Sequence, residues 1–175
     1  MRTVTISWTI ALLLAATPVI AQSANDAATR PPPHTGAIKE DPAALIPAAA
    51  RPAIDIVDAF GKALASGDLK QVETLLEPTA VILESGGAER SRAEYMGHHA
   101  KEDAKFLGSA HVSLIRRVAG TDGGIVWVAS ESEIHGSSKG KPVTLLSAET
   151  MLLIHGDSGW RIAHIHWSSR PKNNQ

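Results

Sequence analysis

Two pairs of ionisable residues stand at spacings that chemistry can use. His99 and Asp103 are four residues apart, and His164 and His166 are two apart. On a helix the first pair shares a face. On a strand the second pair shares a face, its backbone positions about 6.5 Å apart. Imidazole titrates near neutrality, so a histidine beside a carboxylate can take or give a proton. His99 with Asp103 meets that requirement, and so does His166 with a glutamate from a neighbouring strand. The same side chains also suit zinc, copper or another borderline divalent ion. The candidate metal set is His99, Asp103, His164 and His166, with Glu131 and Glu133 as further donors. His111 and His135 stand nearer strand ends. His-X-His alone supplies only two of the three or four ligands a site needs. The bland alternative is that His99 and Asp103 satisfy each other and the strand histidines are structural.

Other chemistries lack their residues. The chain has no cysteine, and no phosphate loop, nucleophile elbow or HExxH motif is present. The residue types therefore fit proton abstraction from an acidic C–H, or hydration and elimination on a small apolar molecule. They fit ligand binding without turnover equally well.

Helices must carry the first pair. Ile54, Val57, Phe60 and Leu64 recur at helical spacing after Pro52. Asp68 caps a second short helix with Leu69, Val72, Leu75 and Leu76, ended by Glu77-Pro78. Ser91 and Glu94 form a capping box that opens a third helix, running to about Leu107. With Met96 at zero on its helical wheel, Asp103 lies within about 20° and His99 within about 60° of the apolar arc. Two ionisable residues thus sit beside a stripe that should be buried, where they need partners.

Strands must carry the second pair. A short strand spans about 80–84. Four longer ones follow: His111 to Val118, Ile125 to His135, Val143 to His155, and Trp160 to Ser169. Short glycine turns separate them, so they form an antiparallel meander. Strict alternation puts Val112, Leu114 and Val118 on one face of the first, with Ile115 and Arg117 on the other. In the last strand it groups Trp160, Ile162, His164, His166 and Ser168. The expected fold class is α+β: a curved antiparallel sheet wrapped around three helices, leaving a cone with a pocket at its mouth. An exposed tryptophan among Trp127, Trp160 and Trp167 would mark an association surface.

The ends carry other information. Arg2, the apolar run from about Ile6 to Leu14, and Val19-Ile20-Ala21 form a signal-peptide pattern cut after Ala21. Thr, Ser and Pro interrupt the apolar residues, so stable membrane insertion after cleavage is not expected. Residues 22–50, with Pro31-Pro32-Pro33, read as a Pro/Ala-rich flexible leader. One domain spans 51–170, and 171–175 is a tail. Removal of 1–21 leaves 154 of the 175 residues, with 16 of the 17 Lys and Arg and all 18 Asp and Glu. Near-neutral charge argues against a nucleic-acid partner. The expected location is the periplasm or outside the cell.

Three stretches then resemble a known family: ASGDLKQVETLLEPTAVIL, RSRAEYMGHHAKEDAKF and the terminal GWRIAHIHWSSR. Over about residues 51–170 the chain resembles the SnoaL-like and ketosteroid-isomerase-like branch of the nuclear transport factor 2 superfamily. Within it, the chain is similar to proteins that also resemble the association domain of calcium/calmodulin-dependent kinase. The resemblance implies a cone-shaped domain, often a homodimer through the open sheet face. Its members include isomerases, dehydratases, cyclases, ligand binders and assembly modules, so fold does not select function. The steroid-isomerase branch uses an aspartate base with a tyrosine and a protonated aspartate. Here Tyr95 is the lone tyrosine and no second aspartate stands on a strand, which argues against steroid isomerisation. The expectation is an exported pocket protein binding a small ligand or a divalent metal through its His/Asp cluster. The alternatives are a lyase or isomerase with a His/carboxylate base, and a non-catalytic dimerisation module.

Overall fold

The computed structural model describes residues 45–138 and 140–172. The expected signal segment, the leader up to residue 44 and the last three residues of the tail lie outside them. Leader residues Leu45 to Ala50 do fall inside. Leu45 accepts a backbone hydrogen bond from Ala119 (2.9 Å) and Ala50 is fully buried, so packing begins before Arg51.

A 3-10 turn, Ala48–Ala50, leads into α1 (Arg51–Ser66) and α2 (Leu69–Leu75). Pro52 stands in the first turn of α1, where its missing donor costs nothing. Gly67 ends α1 at φ 73°, a left-handed position that disfavours residues bearing a Cβ. Asp68 caps α2 by accepting from the Gln71 N–H at 3.0 Å, as its position predicts. Then come β1 (Leu76–Glu84), β2 (Gly87–Glu89), α3 (Arg92–Gly97) and α4 (Ala100–Gly108). The meander β3 (His111–Asp122), β4 (Ile125–Ser138), β5 (Lys141–Gly156) and β6 (Gly159–Pro171) completes the fold.

The sheet has six strands in the order β2-β1-β6-β5-β4-β3. It is mixed, because β1 runs parallel to β6 while every other pair is antiparallel. That departs from a wholly antiparallel sheet. The helical segment between β2 and β3 carries the chain across, which a parallel pairing requires. Strand β2 pairs with β1 through Ile82 and Glu89.

One face of the sheet is buried against the helices. Ile82, Val126, Val128, Met151, Leu153, Ile162 and Ile165 meet Phe60, Leu64 and Val72 there, all at most 1% exposed. Each such side chain contributes about 1.5–3 kcal/mol by leaving water. The opposite face carries Trp127, which is 45% exposed. Its indole lies over Gly120, its cross-strand partner, where an added Cβ would come within 2.5 Å of the ring.

The expected third helix is broken. Ser91 caps α3 as predicted, accepting from the Glu94 N–H at 3.1 Å, but the helix stops at Gly97. His98 adopts φ −120°, ψ −87°, and α4 starts afresh at Ala100. Burial explains the break. Tyr95 and Ala100 are both fully buried, yet five residues on a continuous helix would turn them about 140° apart.

Two β-bulges shift side-chain phase. In β3 the register slips between Leu114 and Arg116, making Ile115 the extra residue. In β6 it slips opposite Leu152 and Leu153, making Ala163 the extra residue. Beyond each bulge every side chain changes face.

Candidate functional site

A cavity of about 570 Å³ lies between the buried sheet face and helices α1 and α4. Cross-strand register orders its floor into layers, because directly paired residues share a face. Beyond the buried Met151, the first polar layer runs Arg117–Ser130–Glu149–Trp167–Glu84 across β3, β4, β5, β6 and β1. The next runs Leu114–Ser132–Ser147–Ser169. The third holds Val112, Ile134 and Leu145, where the cavity opens. Val112 and Leu114 are 47% and 52% exposed there. Val57, Phe60 and Gly61 of α1 face the floor, with Asp103 and Phe106 of α4.

The acidic end is built from four elements. Asp103 accepts a hydrogen bond from the Tyr95 hydroxyl at 2.8 Å. Eight residues of unbroken helix would rise about 12 Å, so the break at His98 is what lets this contact form. Glu84, at the end of β1, lines the cavity, and its buried Oε1 has no hydrogen-bond partner. Glu89 of β2, 3% exposed, pairs with His99 Nδ1.

These groups perturb one another. Burial, then Asp103 and Glu89, push the Glu84 carboxyl up to about 7, with His99 opposing. Burial raises Asp103 as well, against the Tyr95 hydrogen bond. Burial and Asp103 raise the Tyr95 hydroxyl, so it stays protonated as a donor. The Glu89 hydrogen bond raises His99. Glu84 and Asp103, partly buried beside one another, thus both resist ionisation.

The other wall is a closed network. The slip at Ile115 turns Arg117 inward, against the simple alternation. It donates to Asp58 of α1 at 2.7 Å and to Ser130 at 3.1 Å. Trp167 Nε1 donates to Glu149 at 2.8 Å. Glu149 is raised by burial, with Trp167 and Arg117 opposing.

The four sequence candidates do not converge. Asp103 is in the cavity, but its partner is Tyr95, not His99. His99 stands at the N-cap position of α4 without a side-chain bond to the helix, its half-exposed ring turned to Glu89. His164 and His166 lie on the far face of the sheet. They pair with Leu152 and Thr150, which alternate with the buried Met151 and Leu153. His164 Nδ1 meets the Val81 carbonyl at 2.8 Å, and His166 is exposed. The Ala163 bulge is the reason, since strict alternation had grouped them with Ile162. The further donors Glu131, Glu133 and His135 are on that far face too, where Glu133 binds Lys172 (2.6 Å) and His135 (3.1 Å). Among the described residues no three His, Asp or Glu side chains group as metal ligands, so the proposed zinc or copper site finds no matching donor set.

Sequence reading missed Glu84, Glu89 and Glu149. Glu84 closes the short apolar strand AVILE and looks like a solvated terminus. Only its pairing with Trp167 shows that it points inward.

The comparisons agree with this architecture. A family model described as SnoaL-like domain matches residues 54–171. A structure provisionally named a ketosteroid isomerase, from Shewanella frigidimarina, is 28% identical. That match covers 74% of this chain and 96% of the other, with TM-score 0.61. A provisionally named calcium/calmodulin-dependent protein kinase II association domain from Xanthomonas campestris is 22% identical, covering 71% and 89%, TM-score 0.60. A provisionally named dehydratase of the NTF2-like family from Streptomyces avermitilis is 16% identical, covering 69% and 95%, TM-score 0.60. Comparison with curated proteins finds no match. On the match across two thirds of its length, this chain belongs to the SnoaL-like domain family and has the NTF2-like fold.

Proposed function

We propose that the cavity binds a small, largely apolar ligand whose hydrogen-bonding group meets Glu84 and Asp103. The observation that carries this is the Glu84 carboxyl, with a buried oxygen lacking any partner at the wall of a cavity. A buried polar atom without a partner costs free energy, which a ligand donor would recover. The test is calorimetric titration of the protein with 2-naphthol, an apolar body carrying one hydroxyl. Saturable one-to-one binding, weakened in Glu84→Gln and blocked in Leu145→Trp at the mouth, is expected. Absence of saturable binding, or indifference to both substitutions, overturns the reading.

A second reading adds turnover. A carboxyl lifted to about 7 accepts and returns a proton near neutrality. Glu84 would take a proton from an acidic C–H and give it back elsewhere on the ligand, the chemistry of an isomerase or a lyase. Relatives named as an isomerase and a dehydratase support that class. Deuterium exchange into a cyclic ketone, lost in Glu84→Gln, tests it.

Copies of the chain would associate through the open sheet face, where Ile125 and Trp127 stay 46% and 45% exposed. The similarity to an association domain supports this. Light scattering should give a dimer mass, lowered by Trp127→Glu. Export to the periplasm or beyond, with cleavage after Ala21, follows from the N-terminal sequence. N-terminal sequencing of the protein from a bacterial host checks it.

A further inference from the structure

Three serines stand in one row across the cavity floor. Ser132 of β4 pairs with Ser147 of β5, which pairs with Ser169 of β6. All three line the cavity. Direct pairing on adjacent strands puts neighbouring Cβ atoms about 5 Å apart, so their hydroxyls form a continuous polar strip. The layers on either side are different. Deeper in, Ser130 is committed to Arg117 and Glu149. Toward the mouth the floor is apolar, with Ile134 and Leu145. The three hydroxyls of the row hold no side-chain hydrogen bond among the described residues.

Hydroxyls donate and accept, and they carry no charge. They match a neutral oxygen better than an anion or a cation. An anion would also meet the carboxyls of Glu84 and Glu149 one layer deeper, while Arg117 is already bound to Asp58. We propose that Ser132, Ser147 and Ser169 form a second recognition subsite, which binds a neutral hydroxyl or carbonyl oxygen of the ligand. This rests on the ligand-binding reading and adds a ligand class to it. Successive layers are two residues apart along a strand, about 7 Å. The ligand is therefore an apolar framework with two neutral oxygen functions, one directed at Glu84 and one at the serine row.

The test compares two probes that differ by one hydroxyl, 2-naphthol and naphthalene-2,6-diol, the diol's oxygens standing about one layer apart. Each is titrated into wild type, the triple Ser→Ala variant at 132, 147 and 169, and Ser147→Ala alone. Wild type should bind the diol about tenfold more tightly, the scale of one added hydrogen-bonding group. The triple variant should lose that preference and keep its affinity for the mono-ol. The single variant should lose part of it, which keeps the test decisive if the triple variant folds poorly. A preference that survives in the variants, or none in wild type, overturns the subsite while Glu84-dependent binding stands. If neither probe binds wild type, the ligand-binding reading falls and the subsite with it.

Discussion

Ile162 and Ile165 both bury their side chains on the helix-facing side of β6, although they stand three positions apart, an odd offset. An uninterrupted strand cannot do this. Ala163 is the extra residue, and by absorbing it the strand turns His164 and His166 away from the cavity and Trp167 into it.

Removal of those imidazoles should therefore leave the pocket intact. His166→Ala is expected to change 2-naphthol affinity by less than about twofold, as for a distant, uncoupled site. Glu84→Gln should exceed that. Parallel calorimetric titrations of the two variants decide it, and a large loss in His166→Ala would contradict the far-face placement.

Stability should depend on pH through Glu84. Its carboxyl titrates at about 7 folded, against 4.5 unfolded. Its contribution is thus fully present below 4.5 and lost as pH rises through about 7. Glu84→Gln removes that ionisation. The variant should gain on wild type across this interval, the gap levelling off above it. Asp103 is raised too but remains in both proteins. Denaturant unfolding at a series of pH values gives the curve, and a gap independent of pH would refute the assignment.

Tyr95→Phe removes the donor to Asp103 while keeping the ring in its buried seat. A buried acceptor left unpaired costs about 1–3 kcal/mol. The midpoint of denaturant unfolding should fall accordingly. The Asp103 carboxyl, losing a bond that opposes its upward shift, should rise further, which carbon NMR titration would follow.

Gly61 stands in the middle of α1, and no atom outside the helix lies within 4 Å of where an alanine methyl would stand. Alanine there should stabilise the domain by about 0.5–1 kcal/mol, through helix propensity alone. A rise in the thermal midpoint checks this. A fall would show that the space is needed.

Local elements were legible in the sequence where local chemistry decides them. The Asp68 and Ser91 caps stand where the residues put them, and glycine turns separate the long strands, although β4 runs past His135 to Ser138. The site was less legible, because three features that build it depend on distant partners. Helix continuity through Gly97-His98 yields to the joint burial of Tyr95 and Ala100. The phases of β3 and β6 yield to bulges at Ile115 and Ala163, which no turn residue announces. The Asp103 position survives these changes and its expected partner does not. Glu84 becomes a cavity residue only once β1 lies beside β6, a pairing between positions some eighty residues apart in the chain.

That pairing also bears on the order of assembly. Of the six strands of the sheet, β6 is made last, and it lies between β1 and β5. Until it is synthesised, β1 and β5 each present a bare edge, and Ile162 and Ile165 are missing from the core. Folding of this domain therefore waits until β6 has been made, and a chain truncated before Gly159 would expose two sheet edges open to aggregation.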